Sequence, residues 1–430
     1  MRSTTLTPAL TPAPPRRSRS HPRVVAPSLQ LADAAGAQVF AAVCQRGPIA
    51  REAIAAATSL SVATVNRQVS ALIHAELLLE RADLAVSGAI GRPRRPVVVN
   101  HEPYLTLGLH IGARTTSIVA TDLLGRTLDV VETPTPHSSA DAALATLAGG
   151  ARRYLNRWHK RMPLWLGVAI GGAVAGNTGH VDHPRLGWVK APVGPVLAEE
   201  LGLPVSVASH VDAMAGAELL LGVRRRTSNA SSLYVYARET VGYALVVDGR
   251  VHIPASGPGT IAGLPASSEL LGGSGLLEST VSDEAVLAAA RRLRILPGDD
   301  GARTGAASTA VTGLVRAARA GNQEAVALLT ERARVLGEAV ALLRDLFNPD
   351  DLVVGGQAFT EYPEGMAEVE RAFTSRSMLA PRAIRVTAFG NRVQEVGAGA
   401  VSLGGLYADP VTAMRRARGS TTREPAVSDV

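Results

Sequence analysis

The chain has 430 residues, which is enough for a small domain beside a large one or for three modest domains. Hydrophobic residues make up 46% of it and charged residues only 19%, so large buried cores can form. The single cysteine, Cys44, excludes an intrachain disulfide and any metal site built from several cysteines. The net charge of +7 is carried almost entirely by arginine and favours attraction to phosphates without proving it.

The first 27 residues are rich in Arg, Ser and Pro, and they contain no acidic residue. They also lack the apolar core of a secretory signal. We predict that residues 1–27 form a disordered basic arm. No apolar stretch in the rest of the chain is long enough to span a bilayer, so we expect a cytoplasmic protein with no membrane partner.

A helix-turn-helix pattern lies within a predicted winged-helix domain at residues 28–100. The first helix is predicted over 28–46, the second from Arg51 and the third up to Ile73, with a turn at 58–61. Ser61 is a good N-cap for the third helix, because its hydroxyl can satisfy free backbone N–H groups. The predicted core of this domain comprises Leu29, Leu31, Val39, Phe40 and Val43 of the first helix and Val62, Val65, Val69, Leu72 and Ile73 of the third.

The opposite face of the third helix carries short polar or cationic side chains, a composition that suits a reader of the DNA major groove. Asn and Arg side chains can pair bidentately with the edges of adenine and guanine. We predict base contacts from Thr64, Asn66 and Arg67, and phosphate contacts from Ser61 and Ser70.

A basic loop, GRPRRP at residues 91–96, lies between two short predicted strands at 77–80 and 97–99. Its arginines Arg92, Arg94 and Arg95 suit the negative potential of the minor groove. Taken alone, such a loop is equally well explained as a solvated basic linker. Because helix, turn, helix and basic wing occur in the right order, DNA binding is the favoured interpretation.

From residue 104 the sequence alternates between strands and helices, and a strand–hairpin–helix–strand series occurs twice. Such a repeat is typical of two related lobes around a cleft. We predict lobe 1 at residues 101–217, completed by a helix at about 393–407, and lobe 2 at residues 218–392. Residues 408–430 are predicted to form a flexible tail.

Seven motifs in this part resemble the ROK family of repressors and sugar kinases, in which an actin-like ATPase fold is shared. They are GLHIGARTTSIVATDLLGR (108–126), LGVAIGGAV (166–174), PRLGW (184–188), LPVSVASHVDAMAGAE (203–218), LYVYARETVGYALVVDGRV (233–251), GSGLLEST (273–280) and NPDDLVVGGQAF (348–359). The resemblance implies an N-terminal winged helix-turn-helix, mostly α, followed by a two-lobed α/β actin-like domain. The winged helix is found in the family's repressors and is absent from its kinases.

The resemblance also implies that the residues for sugar phosphorylation are lost. Kinases of the family carry an Asn-Asp pair where this chain has Ser209-His210, and that Asp is the general base. A sugar-contacting Asn is replaced by Arg185, and the Glu-x-Gly-His motif is replaced by residues 260–263, Thr-Ile-Ala-Gly. The zinc-ligating cysteines fall at Glu269, Leu271 and Leu276, so no metal is expected.

The nucleotide-binding positions differ as well. An Asp near the Mg²⁺-phosphate is His110 here, and the Gly-Thr-Gly phosphate turn is Arg238-Glu239-Thr240. We therefore predict that the chain is not an enzyme and holds no cofactor.

Two interpretations of the predicted cleft remain open. The first is a changed effector, sugar-like or anionic, held by Arg185 or Arg238. The second is an abandoned pocket filled by internal ion pairs, Arg238 with Glu239 and His210 with Asp212. The candidate ligand-binding residues are Gly171, Arg185, His210, Asp212, Arg238, Glu239 and Glu278.

The sequence thus predicts a transcriptional regulator, most simply a repressor, that binds double-stranded DNA. A homodimer or tetramer is expected, because two heads related by a dyad read an inverted repeat. One alternative is an active sugar kinase with an appended DNA-binding module. The other is a DNA-binding oligomer that senses no ligand.

Overall fold

The N-terminal head is a three-helix unit closed by a two-stranded antiparallel sheet. The computed structural model describes residues 23–84, 95–222, 230–254, 257–296, 306–380 and 382–421. The elements of the head are α1 (Ala35–Arg46), α2 (Arg51–Thr58), α3 (Val62–His74), β1 (Leu78–Glu80) and β2 (Val97–Val99). Val65, Val69 and Leu72 recur at helical spacing on α3 and are fully buried with Val39 and Phe40 of α1. The predicted order of helix, turn, helix and strand pair is confirmed.

Lobe 1 is built on a five-stranded mixed sheet with helices on both faces. Its elements are β3 (Tyr104–Ile111), β4 (Thr115–Thr121), β5 (Thr127–Pro134), α4 (Ala140–Asn156), β6 (Met162–Ile170), β7 (Ala173–Ala175), β8 (His180–His183), β9 (Trp188–Ala191), α5 (Val193–Leu201), β10 (Val205–Ser209) and α6 (His210–Leu220). The sheet order is β10-β6-β3-β4-β5, while β7, β8 and β9 form a separate small sheet. Leu107 and Leu109 of β3 join the core beneath α4 and α5, so Gly108 and His110 face the opposite side.

Lobe 2 is built on a six-stranded sheet. Its elements are β11 (Ser232–Ala237), β12 (Val241–Val247), β13 (Arg250–Val251), β14 (Gly259–Thr260), α7 (Leu277–Val281), α8 (Asp283–Arg292), α9 (Ala306–Arg319), α10 (Gln323–Phe347), β15 (Asp351–Gly355), α11 (Gln357–Thr360), α12 (Met366–Arg376) and β16 (Ile384–Val386). The order is β13-β12-β11-β15-β16, with β14 paired to β12. Leu233 and Val235 of β11 pack in the cluster that contains α10, whereas Tyr234 and Tyr236 pack in the cluster that contains α6.

Two C-terminal helices, α13 (Val393–Ala408) and α14 (Pro410–Thr421), return to lobe 1 and to the head. The sheet approaches α13 so closely that a Cβ atom on Gly167 of β6 would lie 2.2 Å from the backbone nitrogen of Ser402. Met414 and Ala417 of α14 are buried in the same apolar cluster as the helices of the head. The helices α13 and α14 therefore pack between the head and lobe 1 and hold them together.

The prediction that the first helix begins at residue 28 is wrong, because residues 28–31 pair with lobe 2 as extended chain. Val251 N–H donates to the carbonyl of Leu29 at 2.9 Å, and Leu31 N–H donates to Gly249 at 2.8 Å. Leu29 is buried beside α6 rather than within the head. The two leucines lie two residues apart, which is the spacing of a strand rather than of a helix.

Three predicted boundaries also need correction. Residues 23–27 of the predicted arm are ordered against lobe 1, since Val25 N–H donates to the Val205 carbonyl at 2.8 Å, while residues 1–22 lie outside the described residues. The boundary predicted between residues 217 and 218 falls inside α6. The predicted flexible tail is wrong for residues 410–421, which form α14. Ala413, Met414 and Ala417 have helical spacing and are buried, and this pattern was the missed signal.

Candidate nucleic-acid interface and inter-lobe cleft

The N-terminus of α3 is capped as predicted. Ser61 Oγ accepts a hydrogen bond from Thr64 N–H at 3.1 Å and donates to Thr64 Oγ1 at 3.0 Å. This cap stabilises the first turn of α3, because it satisfies one of the backbone N–H groups that have no partner within the helix. Val62 departs from the prediction, because its side chain is 49% exposed and so belongs to the outer face rather than to the core.

The outer face of α3 is available to a partner. Asn66, Arg67 and Ser70 are exposed, and Thr64 is partly exposed. These side chains alternate with the buried apolar positions of the same helix, so the burial that stabilises α3 leaves its polar face free.

Only the edge of the predicted wing is described. Arg95 is exposed, and its Nη1 lies 3.8 Å from Glu80 Oε2. Arg92 and Arg94 lie outside the described residues.

Arg51 is a residue of this surface that the sequence did not single out. Its guanidinium donates to Asn66 Oδ1 at 3.2 Å and to Glu80 Oε1 at 2.7 Å, and so connects α2, α3 and β1. No periodicity links the three positions, because they are 15 and 29 residues apart in the chain.

The mouth of the cleft between the lobes is bridged by ion pairs. Arg114 of lobe 1 donates to Glu284 of lobe 2 at 2.7 Å. Arg185 of lobe 1 donates to the Glu239 carbonyl at 2.9 Å and lies 3.4 Å from carboxylate oxygens of Glu278 and Glu284. The predicted side-chain pairing of Arg238 with Glu239 is wrong, since the carboxylate of Glu239 lies 3.9 Å from Arg114 instead.

Arg238 is directed toward the floor of the cleft. Its Nη1 donates to Gln394 Oε1 at 2.6 Å, and Gln394 in turn donates to the hydroxyl of Tyr236 at 2.6 Å. This chain of hydrogen bonds joins β11 of lobe 2 to the first turn of α13.

Histidines surround Gly171 on the lobe 1 side of the cleft. A Cβ atom on Gly171 would lie 3.0 Å from His183 Nε2 and 3.6 Å from His210 Nδ1. The His110 and His210 rings are 6.4 Å apart. Burial, helped by His183 and Arg238, lowers the pKa of His210 to about 4, and burial lowers the pKa of His110 as well. His210 is therefore neutral at neutral pH.

The predicted pairing of His210 with Asp212 is also wrong. Asp212 is 2% exposed and accepts a hydrogen bond from Ser209 Oγ at 2.7 Å, while its own N–H donates to Ser209 Oγ at 3.2 Å. Burial raises the pKa of Asp212 to about 6. Asp212 thus stabilises the start of α6 through one carboxylate oxygen, while the other, Oδ1, is buried without a hydrogen-bond partner among the described residues.

Neither a metal site nor a membrane span is found in the described part of the chain. No group of three His, Cys, Asp or Glu side chains there is placed to hold a metal ion. None of the helices among these residues combines the length and the apolar character that crossing a bilayer requires.

Replacement of His210 by Asn is expected to reduce the acid sensitivity of the fold. Because the pKa of His210 is about 4 in the folded protein and 6.5 without its surroundings, the unfolded chain binds the proton more tightly. Its contribution to stability is complete above pH 6.5 and is lost as the pH falls toward 4, by up to ~3 kcal/mol.

Urea denaturation at a series of pH values measures this difference between the variant and the wild type. Asn at the exposed His159 controls for the substitution itself. Equal pH dependence of the wild type and the His210 variant would contradict the assignment.

A winged helix-turn-helix head fused to two α/β lobes around a cleft defines the class of this protein. The sequence profile of the ROK family matches residues 106–403, and the chain belongs to that family.

Curated relatives match most of the chain. A Mycobacterium tuberculosis protein named as a transcriptional regulator is 73% identical over 400 residues, which cover 93% of this chain and 91% of that protein. The Escherichia coli DNA-binding transcriptional repressor Mlc is 25% identical over 330 residues, 74% of this chain and 79% of Mlc. The Escherichia coli dual regulator NagC is 23% identical over 334 residues, 75% of this chain and 80% of NagC.

Solved structures agree on the fold. A ROK family transcriptional regulator homologous to Mlc superposes with a TM-score of 0.71 at 22% identity, covering 89% of this chain and 98% of that one. A glucokinase from Streptomyces griseus superposes with a TM-score of 0.57 at 22% identity, covering 69% of this chain and 99% of that one. The kinase therefore matches a smaller share of this chain than the regulator does.

Proposed function

We propose that this protein is a DNA-binding transcriptional regulator, most simply a repressor, whose head reads operator DNA with the outer face of α3. The observation that carries the proposal is the exposed polar face of α3, with Asn66, Arg67 and Ser70 accessible beside the base of the wing. Curated relatives named as transcriptional regulators support it.

The proposed contacts follow the chemistry of each side chain. Thr64, Asn66 and Arg67 reach base edges in the major groove, because they project from the first two turns of α3. Ser61 and Ser70 contact phosphates. Arg92, Arg94 and Arg95 enter the minor groove, where a narrow groove attracts guanidinium groups.

We infer that the protein acts as a homodimer or tetramer on an inverted repeat, in the cytoplasm. One head reads too few base pairs for useful specificity, whereas two heads related by a dyad read two half-sites.

We further infer that the cleft senses a small molecule rather than catalysing phosphorylation. The carboxylates at its mouth, Glu239, Glu278 and Glu284, contact arginines, and no Asp occupies the base position at His210. Incubation with ATP and a panel of hexoses is expected to give no turnover, and turnover abolished by His210→Ala would contradict this inference.

An effector would act by changing the angle between the lobes and so the spacing of two heads. It can do so only if it binds one arrangement more tightly than the other. The ion pairs from Arg114 and Arg185 to Glu278 and Glu284 of lobe 2 are the contacts that must rearrange when the lobes separate.

The test of the proposal compares two arginines of the head on a selected operator. Arg67→Ala is expected to lower discrimination at one base pair of each half-site by about 10- to 100-fold, because it removes a bidentate contact to a base. Arg95→Ala is expected to weaken binding to all sequences alike and to reduce its salt dependence, because it removes a contact to the duplex backbone or minor groove.

Fluorescence anisotropy with operator and scrambled duplexes at several salt concentrations distinguishes the two effects. Unchanged operator binding by both variants would place the DNA-reading surface elsewhere.

A further inference from the structure

Arg51 occupies the junction of three elements of the head. It is the first residue of α2, its Nη1 contacts Asn66 of α3, and its Nη2 contacts Glu80 of β1. The side chains of Arg51 and Glu80 are only 25% and 33% exposed, so this ion pair is partly shielded from solvent. The anchor on Glu80 fixes the guanidinium, and the guanidinium in turn fixes the amide of Asn66.

The chemistry of the contact determines which way the amide of Asn66 points. A guanidinium has five N–H donors and no acceptor, so the Asn66 atom that faces Arg51 must be the carbonyl oxygen. The amide nitrogen, with its two N–H donors, is then the group left for a partner outside the protein.

This orientation disfavours the usual recognition of adenine by asparagine. Adenine needs an amide that donates to N7 and at the same time accepts from the N6 amino group. Arg51 takes one of the two lone pairs of the accepting atom of Asn66 and places a cationic N–H donor 3.2 Å from it, so an N6 amino group bound to the other lone pair would lie beside a second donor. Guanine, in contrast, presents two acceptors, N7 and O6, to the major groove, whereas thymine presents one acceptor beside a methyl group.

We propose that Arg51 is a positioning residue that holds Asn66 as a hydrogen-bond donor, so that Asn66 selects guanine over adenine in each half-site. This inference rests on the proposed function, because it requires α3 to lie in the major groove. It adds the identity of the base read by Asn66 and the residue that sets this preference.

The experiment first locates the base pair and then measures the preference there. Binding of the full chain to operators with each base at every half-site position is compared for the wild type and Asn66→Ala. The position at which Asn66→Ala alone removes discrimination is the one read by Asn66. At that position the wild type is expected to prefer guanine over adenine by about tenfold.

Two substitutions of Arg51 then separate geometry from charge. Arg51→Met frees the carbonyl oxygen of Asn66 and is expected to shift the guanine-to-adenine ratio toward adenine by about tenfold. Arg51→Lys keeps the positive charge but lacks the planar fork that spans Asn66 and Glu80, so it is expected to shift the ratio in the same direction. Arg81→Met is the matched control, because Arg81 pairs with Asp83 and not with Asn66.

The outcomes distinguish this inference from the proposed function. If Asn66→Ala changes no position, the placement of α3 in the groove is wrong. If Asn66→Ala does change one position but adenine is preferred there, or both Arg51 variants keep the wild-type ratio, the role of Arg51 is overturned. Full preservation of the ratio by Arg51→Lys alone would also overturn it, because charge would then suffice.

Thermal unfolding checks that the variants fold. Should Arg51→Met prove unfolded, Glu80→Gln offers a second route, since it weakens the anchor of Arg51 and leaves Arg51 and Asn66 in place. A wild-type ratio in a folded Glu80→Gln variant would then count against the proposal.

Discussion

Arg332→Met is expected to lower the free energy of unfolding by about 3–5 kcal/mol, because it leaves an uncompensated charge in the core of lobe 2. Arg332 on α10 and Asp283 on α8 are each 3% exposed, and their side chains are 2.6 Å apart. Arg332 Nε also donates to the carbonyl of Val281 at 2.8 Å. Without the guanidinium, the carboxylate of Asp283 remains buried with no cation beside it. Urea denaturation followed by circular dichroism measures the loss.

Arg334→Met is the matched control, since Arg334 lies on the same helix and its side chain is 33% exposed. Ion pairs near the surface contribute little, so we expect a loss below ~1 kcal/mol. The double variant Asp283→Asn with Arg332→Met should regain part of the stability, because no charge is then buried. If the Arg332 and Arg334 variants lost equal free energy of unfolding, the buried ion pair would contribute no more to stability than the exposed one.

Gly167→Ala is expected to destabilise lobe 1 by about 3 kcal/mol or more, at the upper end of what overpacking costs. The added Cβ would lie 2.2 Å from the Ser402 nitrogen and 2.6 Å from the Ala398 carbonyl oxygen, both backbone atoms of α13. No rotamer change can relieve a contact with backbone, so α13 must move away from the sheet. A lowered unfolding midpoint, or failure to accumulate as folded protein, is the expected result.

Gly263→Ala is the control, because a Cβ atom there would meet nothing within 4 Å. The displacement of α13 should also disturb the bond from Arg238 to Gln394 at the cleft. A Gly167→Ala variant with the stability of Gly263→Ala would mean that α13 does not rest on β6 as described.

Local patterns in the sequence were sufficient to predict the head and the two lobes. The buried positions Val65, Val69 and Leu72 follow directly from helical spacing on α3. The alternation of strands and helices from residue 104 predicted the two lobes, which the structure confirms. The resemblance to the ROK family, which the profile match confirms, implied their actin-like fold. Helical spacing and family motifs can both be recognised in the sequence without knowledge of the three-dimensional contacts.

The contacts within the candidate site could not be predicted in this way. Arg114 and Glu284 are 170 residues apart, and Arg185 and Glu278 are 93 residues apart. Only the folded lobes bring such pairs together, and several carboxylates lie within reach of each arginine. The ion pairs expected between near neighbours in sequence, Arg238 with Glu239 and His210 with Asp212, were therefore the wrong ones.

The predictions for the two ends of the described chain were wrong for a different reason. Leu29 and Leu31 were assigned to a helix because apolar residues alone do not reveal which unit they join. The helix α14 was missed because its apolar face is formed by alanines and one methionine, a weak signal beside its many arginines.

The apolar core of the head is continuous with the cores of lobe 1 and the C-terminal helices. Phe40 and Leu72 of the head lie in one continuous cluster with Trp165, Leu406 and Met414, which belong to lobe 1 and to the C-terminal helices. Swinging the head away on its own would expose these side chains to water, at a cost of roughly 25 cal/mol for each Å² uncovered. If an effector changes the angle between the lobes as proposed, the head and lobe 1 would therefore move together against lobe 2.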